Sequence, residues 1–222
     1  MAGFRLSGSN EKRSVMREVE KTLYARAVLP VIVIRNAADA VPLGEALIAG
    51  GLPIAEITFR TDAAPSAIAA LAAMPEMTVG AGTILTTDQA DTAIAAGADF
   101  IVTPGLDADI VRHCQGRDFP IFPGVITPTE LTEGINLGLD VLKVFPLAPI
   151  GGAPYLKALT SPFSGLRYMP TGALTEENVE ELLAIESVLC CGGSWVAPPA
   201  LLEAGDFEEI TRRARGAAAF SR

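Results

Sequence analysis

Two charged residues interrupt apolar runs that otherwise have the composition of buried β-strands. Glu56 lies within Ile54–Arg60, and Lys143 lies within Val141–Pro146. Continuous apolar runs are typical of strands covered on both faces, where a buried ion pair carries a large desolvation cost. A pair that merely fills the core is one interpretation. A catalytic role explains better why two charged residues are buried at this desolvation cost. An uncharged lysine amine attacks carbonyl groups, and a nearby carboxylate transfers protons.

Two further polar residues lie where apolar runs end. Arg60 closes the run that contains Glu56, and Thr83 directly follows Thr78–Gly82. The planar guanidinium of arginine fits a carboxylate, although a plain surface cation would occupy the same position. Thr83 could bind the same acid or cap the turn at Ile84. The two residues predict a site for a small carboxylic acid beside the reacting carbonyl.

Two glycine-rich segments follow the last apolar runs. They read Pro170-Thr171-Gly172-Ala173 and Gly192-Gly193-Ser194-Trp195, and their backbone N–H groups have few side chains to obstruct them. In α/β barrels this corner commonly binds a phosphate. The candidate phosphate-binding residues are Thr171, Gly172, Gly193 and Ser194.

The elements that must position these residues alternate regularly along the chain. Short β-branched runs are followed by Ala/Leu/Glu-rich stretches, with spacings of about 19 to 26 residues that leave room for one helix each. This pattern predicts an α/β fold, a single-domain (β/α)₈ TIM barrel with an N-terminal helix over residues 15–222, after a disordered leader at residues 1–14. The eight predicted strands are Val28–Arg35, Ile54–Arg60, Thr78–Gly82, Phe100–Pro104, Phe119–Gly124, Val141–Pro146, Arg167–Gly172 and Ser187–Gly193.

The main rival is an open, doubly wound sheet that binds a dinucleotide. Its signature is a glycine-rich turn between an early strand and a helix. The nearest segment, Gly80-Ala81-Gly82-Thr83, lacks the third glycine. The barrel is therefore favoured.

Composition excludes several classes of function. A net charge of −9 disfavours sequence-independent nucleic-acid binding, and no apolar run is long enough to cross a membrane. Met1–Glu11 lacks the apolar stretch of a secretory signal, so we expect a cytoplasmic protein. We expect the three cysteines to be buried free thiols. The chain has a single histidine, His113, so it cannot form a His-rich metal site. We expect neither a metal nor a cofactor.

Several of these segments together resemble the family of 2-keto-3-deoxy-6-phosphogluconate and 4-hydroxy-2-oxoglutarate aldolases, from about Val28 to Phe207. The resemblance implies a class I, Schiff-base aldolase, an aldehyde-lyase that acts on a phosphorylated keto acid as a homotrimer. It implies that Lys143 forms the imine and that Glu56 transfers protons. It also implies that Arg60 and Thr83 hold the carboxylate, and that Thr171, Gly172, Gly193 and Ser194 lie at the phosphate. The matching segments are Pro30–Ile34, Ala55–Thr61, Val79–Leu85, Pro123–Glu130, Leu142–Pro146 and Cys191–Trp195.

The sequence also departs from this family. Phe145-Pro146-Leu147-Ala148 replaces the usual Phe-Pro-Ala-Glu, and Thr171-Gly172-Ala173 replaces Thr-Gly-Gly. Three alternatives therefore stay open: an aldolase for 4-hydroxy-2-oxoglutarate, an aldolase for the phosphogalactonate epimer, and a phosphosugar-binding barrel without catalysis. Thr171 favours the gluconate epimer, since galactonate-type relatives tend to carry valine. Lys143, Glu56 and Arg60 together argue against a barrel that only binds.

Overall fold

The structure, a computed structural model, describes the backbone of residues 12–222 and the side chains of residues 18–222. Most of the predicted leader, residues 1–14, lies outside this range, whereas residues 12–14 belong to the first helix. The helices are α1 (Lys12–Arg26), α2 (Ala40–Ala49), α3 (Ala64–Ala72), α4 (Thr87–Ala95), α5 (Ala108–Gly116), α6 (Pro128–Asn136), α7 (Gly152–Thr160), α8 (Glu176–Leu183), α9 (Pro199–Ala204) and α10 (Phe207–Ala218).

The strands form a closed ring in which all neighbours are parallel. They are β1 (Val28–Ile32), β2 (Ile54–Thr58), β3 (Thr78–Gly82), β4 (Phe100–Val102), β5 (Ile121–Phe122), β6 (Gly124–Val125), β7 (Val141–Val144), β8 (Arg167–Pro170) and β9 (Cys191–Gly193). Hydrogen bonding connects them in the orders β5-β4-β3-β2-β1-β9 and β6-β7-β8.

Two junctions complete the ring. β5 and β6 form one barrel strand interrupted at Pro123, because proline has no N–H to donate to a neighbouring strand. The bridges Tyr168↔Val188 and Thr171↔Gly192 join β8 and the residue after it to β9 and the segment before it. The predicted (β/α)₈ barrel with an N-terminal helix is thereby confirmed.

The interior of the barrel contains aromatic packing as well as the charged pair. Gly80 is in register with both Glu56 and Phe100, so the three positions face the same side of the sheet. A Cβ on Gly80 would overlap the Phe100 ring, which in turn packs edge-on against Phe122 at a centroid distance of 5.7 Å. Gly80 thus makes room for the aromatic pair that fills this part of the interior.

Ion pairs and hydrogen bonds fasten the amino-terminal ends of the strands. The Arg167 guanidinium, at the start of β8, lies 2.5 Å from the buried Glu20 carboxylate of α1 and 3.4 Å from that of Asp140. Arg222 donates to the carbonyl oxygens of Leu183 and Val188. In barrels of this kind such contacts stabilise the fold, while the opposite end carries the chemistry.

Several predicted element ends were wrong by a few residues. β2 ends at Thr58 rather than Arg60, because the Arg60 N–H donates to the Thr58 carbonyl and closes a tight turn. β9 begins at Cys191 rather than Ser187. α4 is capped by Thr86, whose hydroxyl accepts from the Gln89 N–H.

The remaining predictions from composition concern thiols and membranes. Cys114, Cys190 and Cys191 are free and buried, which confirms the prediction of buried thiols. Burial raises the pKa of Cys114 to about 11 and that of Cys191 to about 12. None of the helices within residues 12–222 is long and apolar enough to cross a membrane.

Candidate active site

The amine of Lys143 and the carboxylate of Glu56 meet inside the barrel. Lys143 Nζ lies 3.6 Å from Glu56 Oε1, and their side chains are only 6% and 2% exposed. β2 and β7 stand on opposite sides of the ring, so this contact crosses the barrel axis. The separation is within the range of an ion pair but too long for a good hydrogen bond.

The Glu56 carboxylate has an oxygen that lacks a hydrogen-bond donor. Oε1 is buried and accepts no hydrogen bond from any described residue. A Cβ on Gly82 would overlap this carboxylate, so the absence of a side chain there is what admits it. A buried acceptor without a donor typically costs about 1–3 kcal/mol. The arrangement leaves an oxygen free to accept a proton or a hydrogen bond from a bound molecule.

Lys143 is held by the neighbouring strand and lies beside an aromatic ring. Its N–H donates to the Pro123 carbonyl at 2.9 Å, and the residue is in register with Gly124. Its Nζ lies 5.2 Å from the centroid of the Phe145 ring. Phe145 directly follows β7, two residues after Lys143, so strand alternation favours the same face for both side chains. The aromatic surface forms one wall beside the amine and shields it from water.

Arg60 and Thr83 lie at the carboxyl ends of adjacent strands, above Glu56. Arg60 is exposed, in the turn beyond β2. Strand alternation ends at Thr58, so this turn sets the direction of the Arg60 side chain. Its guanidinium makes no hydrogen bond or ion pair with the described residues, which leaves its donors available.

Thr83 has a backbone conformation that is unusual for a β-branched residue. Its φ is 58°, in the left-handed region, which costs of order 1–3 kcal/mol and persists where the surrounding structure imposes it. The cap of the following helix α4 is Thr86 rather than Thr83. Its hydroxyl has no recorded partner within the described residues. These features favour ligand binding over the capping alternative.

The loops after β8 and β9 lie side by side. Thr171 is bridged to Gly192, and a Cβ on Gly192 would overlap the Thr171 side chain. No described residue accepts from the N–H groups of Ala173 or Ser194. Unpaired N–H groups at adjacent loops form a concavity that attracts anions.

Gly193, predicted to lie at the phosphate, also packs closely against a neighbouring aromatic ring. A Cβ there would overlap the Trp195 ring, so the missing side chain makes room for the indole. Ser194, by contrast, is exposed at the end of β9. Of these two residues, Ser194 presents its side chain to solvent beside the unpaired N–H groups.

The single histidine lies apart from this site. His113 Nε2 lies 2.8 Å from the Asp91 carboxylate, which also contacts Arg117, so the histidine belongs to an ion-pair network between α4 and α5. Among residues 12–222, no group of three His, Cys, Asp or Glu side chains is arranged to hold a metal ion.

Comparisons with known proteins find chains that are similar along most of this sequence. The family model described as KDPG and KHG aldolase matches residues 19–213. The 2-dehydro-3-deoxy-phosphogluconate aldolase of Treponema pallidum is 43% identical over 185 residues, covering 83% of this chain and 88% of that protein.

Two solved structures are also similar. The 2-keto-3-deoxy-6-phosphogluconate aldolase of Zymomonas mobilis ZM4, with 3-phosphoglycerate, is 42% identical with a TM-score of 0.87, covering 93% of this chain and 98% of that one. The KDPG aldolase of Legionella pneumophila, with pyruvate captured as a covalent carbinolamine intermediate, is 38% identical with a TM-score of 0.86, covering 91% and 98%.

Proposed function

The chain belongs to the family of KDPG and KHG aldolases, and from that premise we propose how its site works. It is a class I aldolase that cleaves 2-keto-3-deoxy-6-phosphogluconate into pyruvate and glyceraldehyde 3-phosphate. Lys143 forms the imine, and Glu56 transfers protons. The observation that carries this proposal is the buried Lys143 amine 3.6 Å from a Glu56 oxygen that has no hydrogen-bond donor.

The first stage of the reaction attaches the substrate to the enzyme. The uncharged amine of Lys143 adds to the C2 carbonyl carbon, giving a carbinolamine, which loses water to form a protonated imine. The carbinolamine of pyruvate captured in the Legionella pneumophila protein supports this step. Arg60 and Thr83 would bind the C1 carboxylate from the ends of β2 and β3, which fixes the carbonyl relative to Nζ.

The second stage breaks the C3–C4 bond. The Glu56 carboxylate takes the proton of the C4 hydroxyl, the C3–C4 electrons move into the imine, and the aldehyde leaves. The remaining enamine accepts a proton at C3 from the Glu56 carboxylic acid. Addition of water then releases pyruvate and restores Lys143. Each proton that Glu56 takes is returned, so the cycle needs no cofactor.

The N–H groups of Ala173 and Ser194, which donate to no described residue, support a phosphate at the loops after β8 and β9, where Gly172 also lies. The 3-phosphoglycerate in the Zymomonas mobilis structure is consistent with a phosphorylated ligand in this family. Binding of this remote group would position the reacting bond without contacting it. Thr171 and Gly193 complete the corner, with Thr171 packed over Gly192.

One observation favours a second candidate substrate. Ala173 is exposed beside these N–H groups and adds a methyl group where the family usually has glycine. Crowding at that position would weaken the phosphate contact and favour the unphosphorylated 4-hydroxy-2-oxoglutarate. The lysine chemistry is the same for both substrates, so kcat/KM measured on the pair distinguishes them.

Reductive trapping tests the central claim. Incubation with pyruvate and borohydride should leave a stable secondary amine on Lys143, which mass spectrometry of peptides locates. Lys157 is a matched internal control, since it is 57% exposed on α7 and faces Glu181. A Lys143→Ala variant should lose both adduct and turnover. An adduct confined to Lys157, or none in an active preparation, would refute the proposal.

Assembly and location complete the proposal. The family resemblance supports a homotrimer, which sedimentation equilibrium would test directly. A cytoplasmic location is consistent with free, buried cysteines and with a phosphorylated metabolite as substrate. Fractionation of the source cells would test it.

A further inference from the structure

Two threonines flank Arg60, and the mechanism above assigns a role to neither. The Thr58 hydroxyl donates to the Ile32 carbonyl at 2.9 Å, within the buried end of β1. The Thr61 hydroxyl donates to the Ile34 carbonyl, in the segment that follows β1. Both hydrogen bonds fasten the Arg60 turn to the neighbouring strand.

The backbone of the turn is also fixed on its other side. The Phe59 N–H donates to the Gly82 carbonyl at 2.7 Å, which links the turn to the end of β3 directly before Thr83. The Arg60 backbone is therefore held between two strands, although its exposed guanidinium is unpaired within the described residues. A fixed backbone lowers the conformational entropy that a long, flexible side chain loses when it binds a ligand, because only the side chain then has to be ordered.

We propose that Thr61 is a positioning residue: its hydrogen bond to Ile34 sets the turn so that Arg60 reaches the pyruvyl carboxylate. This inference rests on the proposed function, in which Arg60 binds that carboxylate. Thr61 is a cleaner probe than Thr58, which is fully buried and in register with Gly82, the residue against which Glu56 packs. Thr61 is half-buried and acts from the turn itself.

The test measures how pyruvate saturates borohydride trapping on Lys143, because pyruvate carries the carboxylate but no phosphate. Thr61→Val keeps the shape and removes the hydroxyl. It should raise the half-saturating pyruvate concentration about fivefold to tenfold, the effect expected from one lost hydrogen bond, while maximal trapping stays within about twofold. Thr61→Ser restores the hydroxyl and should bind pyruvate as the unmodified protein does.

Two further variants separate positioning from general destabilisation. Thr160→Val removes a similar half-buried bond, from the Thr160 hydroxyl to the Leu156 carbonyl in α7. It should lower the Tm by a similar amount and leave pyruvate saturation unchanged. Thr61→Ala, which lacks the hydroxyl and is smaller than valine, is measured alongside in case Thr61→Val folds poorly.

A double-mutant cycle with Arg60→Ala decides the matter. If Thr61 acts through Arg60, Thr61→Val has no further effect once Arg60 is alanine. Two results would overturn the positioning role and leave the carboxylate role of Arg60 intact. In the first, Thr61→Val raises the half-saturating pyruvate concentration equally with Arg60 and with alanine at that position. In the second, Arg60→Ala raises it but Thr61→Val and Thr61→Ala do not. Unchanged saturation in Arg60→Ala alone would instead remove that part of the proposed function, and the positioning role with it.

Discussion

Replacing Ala173 with glycine should stabilise this protein, against the usual effect of the substitution. Ala173 has a φ of 53°, and the preceding Gly172 has a φ of 103°. The left-handed conformation costs a residue with a Cβ about 1–2 kcal/mol, because the Cβ approaches the following carbonyl oxygen. Ala173 is exposed, so its methyl group contributes little burial in return.

The expected magnitude is the difference between two terms. Relief of the backbone strain contributes about 1–2 kcal/mol, and the greater freedom of glycine in the unfolded chain removes about 0.4–1 kcal/mol. Taking the middle of each range, the net gain is about 0.8 kcal/mol. For a domain of this size, 1 kcal/mol corresponds to a Tm shift of about 2–4 °C, so Ala173→Gly should melt about 1–4 °C higher.

Thermal unfolding followed by circular dichroism measures this shift, with Ala73→Gly as the matched control. Ala73 is also exposed, at the end of α3, but its φ of −74° is right-handed. Glycine there should lower the Tm, since it relieves no strain and still adds freedom to the unfolded chain. If both variants lose stability equally, the assignment of strain at Ala173 is wrong.

Three other predictions concern the reaction. Glu56→Gln should retain partial imine formation while turnover falls about a hundredfold or more, because the amide accepts no proton; single-turnover kinetics checks this, and near-normal turnover would make Glu56 a structural partner of Lys143. The phosphorylated substrate should have a kcat/KM about a hundredfold above that of 4-hydroxy-2-oxoglutarate, which corresponds to about 3 kcal/mol. Ser194→Asp should abolish most of that preference by charge repulsion. If the two substrates react equally well and Ser194→Asp changes neither, the phosphate binds elsewhere. EDTA should leave turnover unchanged, since an imine stabilises the carbanion without a divalent ion; activity lost to EDTA and restored by zinc would contradict a class I mechanism.

The contact between Glu56 and Lys143 could be predicted from the sequence, because it depends on the positions of two strands and on the alternation of side chains along them. Each is the third residue of its strand, β2 or β7, so both lie at a similar height in the barrel. Apolar runs located those strands to within a few residues. Once a closed parallel ring is assumed, strand alternation brings the two side chains to the interior.

The positions of Arg60, Thr83 and Ala173 could not be obtained in this way. Each lies in a turn, where local hydrogen bonds rather than strand alternation determine the direction of the side chain. The left-handed conformations of Thr83 and Ala173 are disfavoured by residue type, so propensity argues against them. The Thr-Gly-Ala departure was visible in the sequence, but only the structure identifies it as a position of backbone strain.

Closure of the ring also affects how this protein is made. β9 lies near the carboxyl end of the chain and pairs with β1, through Val28↔Cys191, Leu29↔Gly192 and Pro30↔Gly193. During synthesis on the ribosome, β1 emerges early and must wait for almost all of the remaining chain before this partner exists. Until then its hydrogen-bonding edge stays open, and such an edge can pair with another nascent chain. On the growing chain, the edge of β1 at this seam is therefore the one that waits longest for its partner strand.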